Sequence, residues 1–202
     1  MGYILCSYLY LNKAHNSTIL NNTIVIRGVS AWGIAFDMSN YVNVTSNNVT
    51  TYGNTDANIY IHGSSYSNIV SNYVSQLANS TGSDYTVAIY ADQSGSVASS
   101  YNFVAYNTVR TAAKTQGWAI TFYSTSPQMN YNTIYANNIT SVAATYGTGI
   151  YLLRASNSNV SLNIINNSGS PYGQGIVIAT SSNSNVIDSN RITIDNSVTY
   201  MT

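Results

Sequence analysis

The chain repeats itself, and the repeat restricts what it can fold into. Between Gly149 and Ile165 three apolar anchors, Ile150, Val160 and Ile165, stand 10 and then 5 residues apart. The same cassette opens at Gly33-Ile34 and continues with Val44 and Val49. It recurs at Asn58-Ile59, Ile69 and Val74, and at Gly175-Ile176, Ile187 and Ile192. Along the whole chain the first anchors are Leu9, Ile34, Ile59, Ile89, Ile120, Ile150 and Ile176, with steps of 25, 25, 30, 31, 30 and 26 residues. The second anchors are Ile19, Val44, Ile69, Val104, Ile134, Val160 and Ile187. The third follow five residues later each time, at Ile24, Val49, Val74, Val109, Ile139, Ile165 and Ile192. Self-similarity at a period of about 20–50 residues marks an architecture of stacked units, none of which can bury its apolar face alone.

Around the anchors apolar and polar residues alternate, as in Ile34-Ala35-Phe36-Asp37, Ile59-Tyr60-Ile61-His62 and Ile120-Thr121-Phe122-Tyr123. Period-two alternation over so few residues predicts short strands with one buried face. Between second and third anchors stands a constant asparagine: Asn22, Asn47, Asn72, Asn107, Asn137, Asn163 and Asn190. Asparagine at a corner tolerates the left-handed conformation, and its amide can bond turn backbone. Stacked in register, such amides form a hydrogen-bonded ladder. Three short strands and tight corners per 25–31 residues predict a right-handed parallel β-helix of seven coils, a single domain over residues 1–202. At about 4.8 Å per coil the rod is roughly 34 Å long.

The pattern Gly-Ile-x-apolar, then Asn-x-Ile-x-x-Asn-x-Ile, resembles the repeat of pectate-lyase-like parallel β-helix proteins from about Leu9 to Ile192. It is most similar to the Asn-rich type shared by carbohydrate-active domains and by periplasmic accessory proteins of copper enzymes. The resemblance implies the fold and no chemistry, because the repeat encodes scaffold residues. The clustered Asp pairs, the Asp/Glu calcium cage and the added basic residue of polysaccharide-cleaving members have no counterpart here. His15, His62 and Cys6 lack zinc or copper ligand spacing, so no metal and no cofactor is expected.

Charged residues are 6% of the chain, with six Lys and Arg against six Asp, and no Glu. Without a basic stripe to neutralise phosphates the chain is not expected to bind nucleic acid. No apolar run approaches the ~18 residues of a membrane span. Near-zero net charge favours association over colloidal repulsion. Sequons occur at Asn16, Asn21, Asn43, Asn48, Asn79, Asn138, Asn159 and Asn166. Two readings compete: chance in a chain rich in Asn, Ser and Thr, or a glycosylated surface protein. The ends show no cap. Tyr8-Leu9-Tyr10-Leu11 reads as a core strand, and Val198-Thr199-Tyr200-Met201 stops where an eighth coil would begin. Solenoids need capped ends, since open ones expose unpaired strand edges. Either the chain belongs to a longer solenoid or its ends stack on neighbouring copies. Per-coil insertions lie at Ala91–Asn102 and Tyr123–Asn132, and Ser75–Thr86 lengthens one connection.

Outward positions of the first strand form two columns. One runs Tyr10, Ala35, Tyr60, Tyr90, Thr121, Tyr151, Val177; the other Asn12, Asp37, His62, Asp92, Tyr123, Leu153, Ala179. Asp37, His62 and Asp92 thus form a carboxylate–imidazole–carboxylate row beside tyrosines, with Arg154 two coils away. One reading is a sugar groove, in which Tyr60, Tyr90 and Tyr151 stack on pyranose rings and the Asp and His residues do acid–base work. Two coils separate Asp37 from Asp92, near the roughly 6.5–9.5 Å of an inverting glycosidase. The other reading is a solubilising cover on one face of a rod. The favoured expectation is a non-enzymatic structural protein of an extracellular or cell surface, whose partners are copies of itself. A carbohydrate-binding or carbohydrate-cleaving module is the alternative, and a segment of a larger adhesin or viral fibre a further one.

Overall fold

A computed structural model describes residues 6–27, 31–53, 57–77, 85–113, 115–143 and 145–195. Within them the chain winds as a parallel β-helix of three seven-stranded sheets. The first sheet runs from Cys6–Asn12 to Gln174–Ala179, the second from Thr18–Leu20 to Val186–Asp188, and the third from Thr23–Ile26 to Arg191–Asp195. Every strand pairs with its counterpart one coil away, and the register is that of the sequence anchors. Ile34 faces Ile59, Val104 faces Ile134, and Ile139 faces Ile165. The anchors from Ile19 to Ile165 fill the interior as one cluster, completed by Phe36, Ile61, Phe122, Met129 and Leu152, with Leu9 and Ile176 packed against it and Ile187 and Ile192 of the last coil exposed. Residues 1–5, the predicted stop at Val198-Thr199-Tyr200-Met201 and most of the Ser75–Thr86 connection, with Asn79, lie outside the described residues.

A corner interrupts the strand-to-strand hydrogen bonding, yet the backbone groups there are buried and must be satisfied. The predicted asparagine ladder does this. Asn47 donates Nδ2–H to the Ile19 carbonyl at 2.9 Å, and its own backbone N–H donates to Asn72 Oδ1 at 2.9 Å. Side chain bonds side chain from coil to coil, for instance Asn72 to Asn107 and Asn107 to Asn137, both at 3.0 Å. The run is unbroken from Asn22 through Asn163 to Asn190. Two further ladders are less regular in sequence. Ser67, Asn102, Asn132, Ser158 and Asn185 accept backbone N–H groups at one corner, as in Ser67 N–H to Asn102 Oδ1 at 3.0 Å. Ser39, Ser64 and Ser99 do so at another.

One expectation is corrected. The left-handed residue is not the ladder asparagine but the one before it: Asn21, Ser46, Ser71, Tyr106, Ala136, Leu162 and Ser189. The ladder residue must hold its amide along the rod axis, so its neighbour makes the turn. A second left-handed column comprises Asn16, Tyr41, Tyr66, Tyr101, Tyr131, Asn157 and Ser184. Its four tyrosines stack, with ring centroids 5.1, 4.8 and 5.0 Å apart. Stacking is worth about 0.5–1.5 kcal/mol per pair, against roughly 1–2 kcal/mol for a side chain in the left-handed region. The two nearly offset. Within the first-sheet strand Tyr146–Leu153 space is the constraint: a Cβ on Gly149 would stand 2.5 Å from Ile165 Cγ2 and 2.7 Å from the Gly175 carbonyl oxygen. This accounts for glycine ahead of the Ile150 anchor.

Two stability outcomes follow, both read as urea midpoints. Asn107→Ala orphans the Ile69 carbonyl and the Asn72 N–H, and is expected to cost about 2–4 kcal/mol. Asn190→Ala, in the last coil, costs less. At Tyr66 the expected order of stability is Tyr, then Gly, then Ala. Both substitutions lose the stack, and only glycine relieves the strained backbone.

Candidate functional site

Parallel register brings the predicted row together. Asp37 pairs with His62 and His62 with Asp92 along the outer edge of the first sheet. His62 Nδ1 lies 3.2 Å from Asp37 Oδ1, and Nε2 lies 3.8 Å from Asp92 Oδ1. Neither Oδ1 has a hydrogen-bond partner, so each faces the imidazole without a directed N–H bond. A neutral imidazole carries one N–H, whereas an imidazolium presents one to each side. The other oxygens meet phenols: Tyr10 OH lies 3.5 Å from Asp37 Oδ2, and Tyr60 OH donates to Asp92 Oδ2 at 2.9 Å.

Burial dominates the electrostatics. It pushes the Asp92 carboxyl up to about 6, against the charge of His62 and the hydrogen bonds from Tyr60 and Tyr90, while the Asp37 charge raises it further. Burial likewise raises the Tyr60 phenol, helped by Asp92, so Tyr60 stays protonated and donates. The arrangement is a closed cluster, in which one oxygen of each carboxylate meets a phenol and the other faces the imidazole without a hydrogen bond. Imidazole fills the interval between the carboxylates, where an inverting hydrolase needs a glycosidic oxygen and a water.

The predicted tyrosines divide. Tyr60 stacks on Tyr90 at 5.4 Å and on His62 at 5.4 Å, and Trp32 tilts against it at 4.6 Å. These contacts take up its ring faces, so Tyr60 is no stacking platform for a sugar. Tyr151 is separate. Thr121, fully buried, interrupts the column between Tyr90 and Tyr151. Tyr151 stacks instead on Trp118, at 4.8 Å and 21°. Together they line a hollow of about 140 Å³ with Gln116, Tyr146, Thr148 and Gln174. The position in the first strand that carries Trp118, Thr148 and Gln174 is legible as a column once the register is known, but its alternation with glycines hides it in the sequence.

The other predicted residues lie apart. Arg154, with a left-handed backbone, sits at a corner beyond Leu153. Arg27 lies over the Tyr52 ring, 4.7 Å from its centroid. His15 accepts the Asn40 N–H through Nδ1 at 3.0 Å and belongs to the corners. Among the described residues no three His, Cys, Asp or Glu side chains are gathered for a metal ion. Of the sequon asparagines, Asn16, Asn21, Asn48, Asn138 and Asn159 are exposed and Asn43 and Asn166 half-buried. No sequon falls on a ladder asparagine. The insertions of the fourth and fifth coils meet through Gln93 and Thr125, with bonds of 2.9 and 3.1 Å.

No protein-family model, curated protein or solved structure matches the chain. The fold and the geometry above therefore carry the functional argument.

The raised Asp92 carboxyl gives a pH test. Its folded value lies above the unfolded one of 3.8, so the folded state holds the proton more tightly. Stability from this group is present below that unfolded value and is lost as pH rises to about 6. In urea titrations across this range, the midpoint of the parent should fall relative to that of Asp92→Asn. Parallel profiles would show that Asp92 titrates as an ordinary carboxylate.

Proposed function

We propose that this protein is a structural β-helix of an extracellular or cell surface, whose copies stack end to end into a filament or sheath. The observation that carries the reading is the apolar last coil. Ile178, Ile187, Ile192 and Ile194 are 42%, 41%, 44% and 42% exposed, whereas Leu152, Val160 and Ile165 of the coil before are fully buried. A strand edge of each of the three sheets accompanies them. Among the described residues, Cys6–Asn12, Thr18–Leu20 and Thr23–Ile26 form the opposite edges of the same sheets. Head-to-tail contact between such ends repeats without closing, and so gives a filament. The sparse charge supports it, since little repulsion opposes association.

Exposed sequons on the flanks leave room for N-glycans without disturbing the ladders, and glycosylation belongs to this reading. Kinship with the Asn-rich carbohydrate-active β-helix proteins rests on the repeat pattern alone. Acid–base catalysis is disfavoured by the closed Asp37–His62–Asp92 cluster.

Electron microscopy and sedimentation velocity test the proposal. The expected outcome is filaments with an axial repeat near 34 Å, seven coils at about 4.8 Å each. Ile187→Asp and Ile194→Asp, at already exposed positions, should leave folded monomers. A parent chain that stays monomeric at high concentration would overturn the reading.

A further inference from the structure

We infer that the hollow on the flank of the first sheet, across the last three coils, is a binding site for a neutral pyranose unit of a saccharide. Its wall is aromatic. Trp118 and Tyr151 form one stacked pair, and Tyr146 stacks on the exposed Tyr172 at 5.1 Å and 19° to form another. Elsewhere on this face aromatic rings stack along the rod axis. Thr121 breaks the tyrosine column here, and Thr148 stands next to Trp118 in the neighbouring column. Two small residues among large ones leave the depression.

Polar groups of one kind complete it. Gln174 Oε1 accepts the Thr148 hydroxyl at 3.3 Å, which leaves its NH₂ to donate outward. The Gln116 side-chain amide has no partner among the described residues, and so offers both a donor and an acceptor. Among the described residues no Asp, His, Lys or Arg lines the hollow, and Tyr151 is held protonated by burial and by the neighbouring Tyr123.

This chemistry selects the ligand. A pyranose has an apolar C–H face for the indole and phenol rings and a rim of hydroxyls for amides and a threonine. Among the described lining residues an anionic sugar finds no cation, and a cationic ligand no carboxylate. At about 140 Å³ the hollow falls well short of the ~300–1,000 Å³ of a cofactor-sized site and accommodates a single ring. Position matters too. The hollow lies on the rod's flank, so it stays open when copies stack through their ends.

Titration of the full chain with maltotetraose, cellotetraose, mannotetraose and chitotetraose, followed by tryptophan fluorescence and calorimetry, tests the assignment. Trigalacturonate serves as the anionic control. The expected result is saturable binding of at least one neutral tetrasaccharide and none of trigalacturonate. Gln116→Ala/Gln174→Ala, which removes only surface amides and should fold, is expected to bind about tenfold or more weakly. Trp118→Ala should abolish binding. The inference is overturned by the absence of saturable binding up to millimolar concentrations, by trigalacturonate binding as tightly, or by undiminished binding in the double variant. Filament formation is scored separately, so either proposal can fail without the other.

Discussion

The structure depends on satisfying backbone polar groups where the sheets stop. Within a strand each N–H and C=O finds its partner one coil away, but three times per coil the chain turns and that pairing lapses. Side chains of Asn22 to Asn190 replace the missing partners at one corner, and serine and asparagine ladders do so at the others. Each amide both accepts from and donates to the coil before it. A corner amide therefore serves its own coil only if the neighbouring coil keeps register. This ties local turn chemistry to the repeat spacing, and it lets a chain with almost no charge bury many polar groups.

The corners also shape the surface. Among the described residues, nineteen non-glycine ones have positive φ, and they fall mostly into regular columns. Identical side chains at identical corners meet at the coil spacing, which suits stacked tyrosines. Stacking stabilises the strained turns, yet it spends the ring faces within the column and shows solvent only their edges. The flank of the rod is thus mostly a finished surface. The two proposed contacts lie where a small residue interrupts a column, as at Thr121 and Thr148, and where the columns end with exposed isoleucines.

The Asp37–His62–Asp92 row shows the same economy in charge. Three titratable side chains lie in one column, surrounded by phenols that hydrogen-bond the carboxylates. Burial holds the Asp92 carboxyl toward its neutral form, and the imidazole offsets what charge remains. Chemically the row resembles a half-buried structural cluster more than an open acid–base pair. Its place on the rod, between aromatic columns, fits a role in fixing that face.

Much of this was legible in the sequence, because a solenoid's contacts lie one repeat away and the anchors state the repeat. The anchors gave every sheet register, including the Asp37–His62–Asp92 row, and the constant asparagine announced its ladder. What the sequence left open depended on orientation. Whether Asn47 or Ser46 turns left-handed is decided by which residue must aim its amide along the axis. Whether Tyr60 offers a face is decided by Tyr90, His62 and Trp32 around it. The serine ladders were hidden because Ser, Asn and alanine alternate in them without a constant letter. The hollow beside Trp118 arises from small residues in two adjacent columns, a coincidence visible only once the coils are stacked. Periodicity, then, determined the coil and its core, since burial repeats wherever apolar residues do. Only the tertiary structure decided the surface, since exposure and stacking depend on the sizes of side chains that are distant in sequence and a few ångströms apart in space.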